Sequence, residues 1–332
     1  MKLTSTLAIR YPVIMAPMFL VSNEAMVRSA MDNGIAGTFP SLNYRREGEL
    51  KDVLDRLNAH RTQAPQGTYG VNLIVQKTNP LYSKHLQVCA ESKVPLYITS
   101  LGSPKEVIAA AHSYGATVLC DVTNLAHAEK AAQAGCDGFI AVTAGAGGHA
   151  GPYPMHVLIP SLQEHFPGKI LVAAGGIAHG SQIASALLLG ADGVSIGTRF
   201  IASHEASVSA EYKNAILQYG MDDIVLTERL SGTPCNIINT PTARKIGYTQ
   251  NWFEKLLNNN ARTRKYFKML VQLRGMKKLE QAVKPGNYQQ LWSAGQSVEL
   301  VKEISSIEEI VHNLMKETKL ALDAGKDISA TI

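Results

Sequence analysis

Charge is scarce in this chain, and so are aromatic residues and cysteine. Asp, Glu, Lys and Arg make up 18% of the 332 residues, and 32 basic against 27 acidic side chains leave a net charge of +5. A surplus that small gives no argument for a nucleic-acid partner. Its one concentration, between Arg262 and Lys284, reads as a solvated helix face. The four cysteines, Cys89, Cys120, Cys136 and Cys235, stand far apart and form no CxxC pair. That excludes a zinc site of the usual spacing, leaves no metal to assign, and fits a reducing compartment. No apolar run approaches the roughly 18 residues that a membrane span requires. The opening stretch MKLTSTLAIRYPVIMAP lacks the apolar centre and small-residue cleavage site of a leader. A cytoplasmic protein with neither a membrane nor a nucleic-acid partner is expected.

Hydrophobic residues, at 45%, are enough for a large core. From Val13 to about Ile201, short apolar runs alternate with amphipathic segments. Strands are expected at Val13–Ala16, Ile35–Phe39, Tyr69–Leu73, Leu96–Thr99, Thr117–Asp121, Gly138–Val142, Ile170–Ala174 and Gly193–Ile196. Helices are expected between them at Glu24–Asn33, Glu47–Asn58, Pro80–Glu91, Pro104–Ser113, Leu125–Ala134 and Ser181–Leu189. Gly34, Gly115, Gly135 and Gly190 follow the last turns of helices, where a left-handed cap is needed. The strands are apolar throughout rather than alternating, which implies burial on both faces of a parallel sheet. Eight βα units in series predict an α/β fold, a (β/α)8 barrel, in preference to an open doubly wound sheet.

After His204 the pattern becomes polar and helical. Helix candidates are Glu211–Tyr219, Trp252–Leu257, Arg264–Leu273 and Lys277–Val283, with Ile224–Leu226 as a short strand candidate. Residues 205–290 are too long for an ordinary barrel loop and read as a mainly helical cap over the mouth. Residues 1–204 and 291–332 then form the barrel, with a closing helix from about Ile307 to Asp323.

In a barrel, the loops after the strands converge on one mouth. The stretch Gly145–Pro154, GAGGHAGPYP, places His149 among glycines just after the sixth strand. Glycines let backbone approach a flat or phosphorylated ligand closely, and an imidazole there suits proton transfer or polarising an anion. Ala16, Pro17 and Met18 end the first strand as a wall suited to an aromatic ring. Asn72 offers a donor and an acceptor near the end of the third. Ala174, Gly175 and Gly176 follow the seventh strand, Gly180 opens the next helix, and Gly197 and Thr198 follow the eighth. Together these form a phosphate cradle of the kind barrels reuse. Arg199 could reach that phosphate or pair with a helix carboxylate.

With these motifs the chain resembles the nitronate monooxygenase family of FMN-dependent (β/α)8 barrels, over residues 10 to about 240. The resemblance extends to Gly197-Thr-Arg-Phe-Ile-Ala-Ser203, Glu205, Tyr212-Lys213, Asp223-Ile-Val225, Ser231-Gly-Thr-Pro234 and Trp292-Ser-Ala-Gly-Gln296. It implies FMN with its ring against Ala16, Pro17 and Met18 and its edge at Asn72. Gly147 and Gly148 would pass close to the ring, and Gln296 would reach it. Ala174, Gly175, Gly176, Gly197 and Thr198 would hold the phosphate. His149 would be the catalytic residue, acting on the nitro or nitronate oxygens or on the α-proton. The implied partners are a small alkyl nitronate or nitroalkane and O2, and the products a carbonyl compound and nitrite.

Some members of that family carry a lysine at the end of the fifth strand, where this chain has Asp121, which would either bond the ribityl hydroxyls or cap the following helix. The chain also resembles flavin-dependent enoyl-ACP and quinone reductases, which would draw electrons from NAD(P)H. A dehydrogenase of the inosine-monophosphate type would need a nucleophilic loop cysteine, and Cys235 is the candidate. A flavin-binding protein without turnover is the remaining alternative.

Overall fold

The computed structural model describes residues 2–76, 79–229, 233–249 and 291–329. The helix candidates Trp252–Leu257, Arg264–Leu273 and Lys277–Val283 lie outside the described residues, as does the basic stretch between Arg262 and Lys284. Eight parallel strands close into a barrel: β1 (Val13–Met15), β2 (Ala36–Pro40), β3 (Thr68–Ile74), β4 (Leu96–Ser100), β5 (Thr117–Val122), β6 (Gly138–Val142), β8 (Ile170–Ala174) and β9 (Gly193–Ile196). Strand β9 pairs with β1, Ser195 opposite Ile14, and so completes the ring. All eight expected strands are present, displaced by at most a residue or two at their ends.

Alternation along these strands separates two cores. Leu96, Ile98, Leu119, Ile140, Ile170 and Val172 point into the barrel, joined by Leu3 and Leu7 from a short helix α1 (Lys2–Leu7). That N-terminal helix, absent from the sequence-based expectation, adds its leucines to the interior packing. Tyr97, Phe139 and Leu171 alternate with the inward residues and belong to the larger core. There they pack beneath the outer helices α2 (Glu24–Asp32), α3 (Glu49–Arg61), α4 (Tyr82–Glu91), α5 (Lys105–His112), α6 (Leu125–Gln133), α7 (Met155–His165) and α8 (Gly180–Leu188). Helix α7 carries Pro160 inside it, a residue that argues against a helix locally. The four expected cap glycines all take positive φ, between 74° and 102°.

Beyond the barrel come α9 (Thr198–Ile201), α10 (Ala210–Gln218), β10 (Ile224–Thr227), β11 (Cys235–Ile238), α11 (Pro241–Ile246) and the terminal helix α12 (Ile307–Ser329). Strands β10 and β11 form an antiparallel pair, and β11 also pairs with the two-residue strand β7 (Gly148–His149). The described part of the expected helical cap therefore mixes helix with strand. Helix α12 packs between α8 and α2, and its first turn is held by Glu205, whose carboxylate accepts from the Ile307 N–H at 2.9 Å. Among the described residues, no helix is long and apolar enough to cross a membrane.

Candidate active site

The strand ends at the barrel mouth surround a cavity of about 1270 Å³. Ala16, Pro17, Met18, Asn72, Asp121, Gly147, His149, Ala174, Gly175, Gly176, Gly197 and Thr198 all line it. Two expected residues do not. Gly148 pairs with Asn236 of β11, and Gln296 is exposed; its neighbours Ser293 and Ser297 line the cavity instead. An irregular segment gives no facing rule, so only the fold could choose among these side chains.

The loop after β1 is fixed by two residues without a sequence motif. The Ser22 hydroxyl accepts from the Met18 N–H and donates to the Ala16 carbonyl. Asn43 donates to the Met18 and Ser22 carbonyls and accepts from the Leu20 N–H. The loop is thus braced by five side-chain hydrogen bonds, three of which fall on Ala16 and Met18. Just past the neighbouring strand β9, a Cβ added to Gly197 would come no closer than 3.6 Å to its nearest neighbours, Ala16 Cβ and the Met18 sulfur. The φ of Gly197 is −110°, which any residue adopts. Protein packing therefore does not demand glycine at 197, which lines the cavity beside the wall.

Some of the groups expected to hold a phosphate are already bonded within the protein. The Gly176 N–H already donates to the Gly145 carbonyl at 3.0 Å. At the start of α8, the Gly180 N–H is taken by the Glu317 carboxylate at 2.7 Å, while Gln182 accepts from Ala178 and His179. A helix terminus that already holds a carboxylate has no room for a second anion. What remains is Ala174, Gly175, Gly197 and Thr198, and the Thr198 hydroxyl accepts from the Gly295 N–H and keeps its proton to donate. Arg199 turns away altogether: its buried guanidinium donates to the Ala202 and Glu303 carbonyls and to the Ser305 hydroxyl. It ties the C-terminal segment to the barrel and does not line the cavity.

His149 stands on β7, opposite Cys235 of β11. Its loop is held from behind by Asn236, which donates to the carbonyls of Ala144 and Ala146 at 2.9 and 2.8 Å. Gly147 allows the loop to lie under the closing segment, where a Cβ would meet Gly295 N at 2.7 Å. That segment is pinned in turn by Trp292 stacked on Tyr212, ring centres 5.4 Å apart, and by the Tyr212 hydroxyl donating to the Ser293 carbonyl. The imidazole is open to the cavity but otherwise enclosed by protein, and that enclosure holds it below its ordinary pKa of 6.5. The shift favours the neutral form of the ring over the imidazolium. Sequence reading missed Asn236 as a residue that braces the His149 loop, since nothing local announces a bond made across about ninety residues of chain.

Across the mouth, Asn72, Ser100 and Asp121 form a chain on β3, β4 and β5. Asn72 donates to Ser100, and Ser100 donates to Asp121. Burial pushes the Asp121 carboxyl up to about 6, with the Ser100 bond pulling the other way. Asn72 gives its second proton to the Ile98 carbonyl. What the amide keeps for a ligand is its carbonyl oxygen. Asp121 does not cap α6, because Asn124 accepts from the His127 N–H there. Cys235 is buried in β11, paired with His149, and does not occupy a loop after the sixth strand.

Residues 45–317 match the family described as nitronate monooxygenase. The chain belongs to this family, and its relatives are oxidoreductases. Over 271 residues it is 28% identical to a (3aS,4S,5R,7aS)-5-hydroxy-7a-methyl-1-oxo-octahydro-1H-indene-4-carboxyl-CoA dehydrogenase of Mycobacterium tuberculosis, covering 80% of this chain and 74% of the relative. A probable nitronate monooxygenase of Staphylococcus aureus is 25% identical, covering 72% and 78%. Among solved structures, FabK from Thermotoga maritima superposes with a TM-score of 0.83 at 27% identity, covering 100% and 99%. A nitroalkane oxidase from Streptomyces ansochromogenes shares the fold, with a TM-score of 0.76 at 23% identity, covering 98% and 99%.

Proposed function

We propose that this member of the nitronate monooxygenase family uses FMN to oxidise alkyl nitronates with O2, giving a carbonyl compound and nitrite. The observation that carries the proposal is that His149, whose charged form is disfavoured by desolvation, faces the same cavity as the apolar Ala16–Met18 wall and the small residues Gly175, Gly197 and Thr198. The residues fit the group. Ala16, Pro17 and Met18 offer an apolar face, the Asn72 carbonyl an acceptor for a ring N–H, and Gly175, Gly197 and Thr198 a phosphate cradle. FMN, when bound, supplies the electron transfer, and the chain supplies binding and proton handling. His149 can take the α-proton of a nitroalkane or hydrogen-bond a nitronate oxygen. Asp121 acts through Ser100 to hold the Asn72 amide in one orientation.

The test is anaerobic bleaching of the flavin band in purified protein. Ethylnitronate should reduce the flavin rapidly while NADH and NADPH do not. Reduction by the nicotinamides alone would move the protein to the reductase branch. A second reading has its own support: the cavity of about 1270 Å³ exceeds the roughly 300–1,000 Å³ of ordinary small-molecule sites. FMN and a nitronate of a few atoms leave much of that space unused, whereas oxidation or reduction of a larger substrate would not. The relative from M. tuberculosis, named for a carboxyl-CoA substrate, falls on that side.

A further inference from the structure

Around the barrel, each outer helix packs on the next: α2 on α3, α3 on α4, α4 on α5, α6 on α7, α7 on α8, α8 on α12, and α12 on α2. Between α5 and α6 there is an opening lined by Lys105 of one helix and by His127 and Lys130 of the other. The cavity runs out through this gap. Its lining continues from Asp121 past Lys105 to His127, Lys130 and Ala134. The last three recur at spacings of three and four, which places them on one face of α6. Nine residues of helix make that face about 13 Å long. The small side chains of Ala131 and Ala134 leave space along it for a slender chain.

The charge of this outer arm is of one sign. Lys105 and Lys130 are exposed along it, and His127 holds its Nδ1 against the Thr123 hydroxyl at 3.0 Å, leaving Nε2 outward. Among the described lining residues the only carboxylate is Asp121, at the inner end, and neither Glu106 nor Glu129 lines the groove. The arm is also far from the glycine cradle. In the strand order β1-β2-β3-β4-β5-β6-β8-β9, β4 lies across the barrel from β9 and β5 across from β1. A phosphate held after β8 and β9 cannot be the anion for which the α5–α6 groove is charged.

We infer that the α5–α6 groove is a second binding site, which holds the phosphate-bearing arm of a coenzyme A thioester while the acyl end reaches His149. The basic side chains line the groove itself, within one helix length of the inner chamber, which matches phosphates carried on the ligand's own chain. Lys105 and Lys130 pair with those phosphates. The inference rests on the flavin occupying the inner chamber, but not on which donor reduces it.

The experiment begins with the FMN content of the purified protein, read from its absorbance. Protein that neither carries nor takes up FMN would refute the flavin reading before any thiol compound is added, and coenzyme A binding to the flavin-free chain would still decide the groove. FMN-loaded protein is then titrated calorimetrically with free coenzyme A and, separately, with pantetheine, which lacks the phosphates. Saturable coenzyme A binding is expected, weakened roughly tenfold to a hundredfold in the Lys105→Ala/Lys130→Ala double variant, as lost charge-assisted contacts imply. Pantetheine should bind the double variant as it binds the wild type. A second variant, Ala134→Trp, fills the groove without touching charge and should weaken both ligands. No saturable binding of coenzyme A, or equal binding by wild type and double variant, would overturn the proposal.

Discussion

Burial is what shifts His149, because desolvation penalises the imidazolium and leaves the neutral ring favoured. A base of that kind is competent at pH 7 and is lost only as the pH falls below 6.5, through its lowered pKa. The acidic limb of kcat/KM for a nitroalkane should therefore lie below pH 6.5, and a limb above it would contradict the neutral-base role. His149→Ala should keep FMN and lose turnover by at least about a hundredfold. Loss of FMN with unchanged activity per bound flavin would refute the catalytic assignment. Gly197 gives a cleaner separation of fold from ligand. Since its φ is −110° and a Cβ meets nothing closer than 3.6 Å, Gly197→Ala should change stability by less than about 0.5 kcal/mol yet lower FMN content. Thermal melting beside an absorbance ratio reads both. Asp121 has the opposite sign of linkage to a paired carboxylate. Its folded pKa of about 6 lies above the ordinary 3.8, so the stability it contributes is complete below 3.8 and lost as the pH rises through 6. Flavin-free Asp121→Asn should exceed wild type in urea stability by about 3 kcal/mol at pH 8, with the difference shrinking towards pH 4.

At the scale of elements, the placement of His149 depends on a three-stranded sheet that joins the loop after β6 to residues almost ninety positions later. Asn236 is the hinge of that arrangement, because its amide satisfies two carbonyls of the glycine loop from a buried position. Asn236→Ala should destabilise by about 1–3 kcal/mol and lower kcat while bound FMN is retained. Asn236→Asp keeps the shape but has no N–H to donate, so it should be equally damaging. Wild-type kcat and melting temperature in Asn236→Asp would show instead that shape alone matters. The apolar runs of β1 to β9 were legible because a strand buried on both faces must be apolar along its length. Strand β11 was not, since Cys-Asn-Ile-Ile carries too few residues to show a period, and β7 is two residues long. Helix α7 was hidden by Pro160, and α1 by its brevity.

For the molecule as a whole, closure of the helix ring depends on α12 lying between α8 and α2. The contact is close enough that a Cβ at Gly180 would collide with the Thr318 backbone nitrogen and meet the Leu314 carbonyl at 2.5 Å. Gly180→Ala should therefore force α8 off α12 and cost about 1–3 kcal/mol, measured as a fall in melting temperature. The same helix supplies Glu317 to the start of α8, which is why an anion site that the sequence placed there went to the protein's own carboxylate. By itself the sequence determined the eight barrel strands, six of the helices between them, and the set of glycines and small residues at the mouth. Those follow from burial and backbone freedom, which are local properties. The tertiary structure alone decided that Arg199 ties the C-terminal segment, that Gln296 faces solvent while Ser293 and Ser297 face the cavity, and that the cavity opens between α5 and α6. Each of these turns on where a distant segment packs, and a side chain's partner across a hundred residues leaves no periodic trace along the chain.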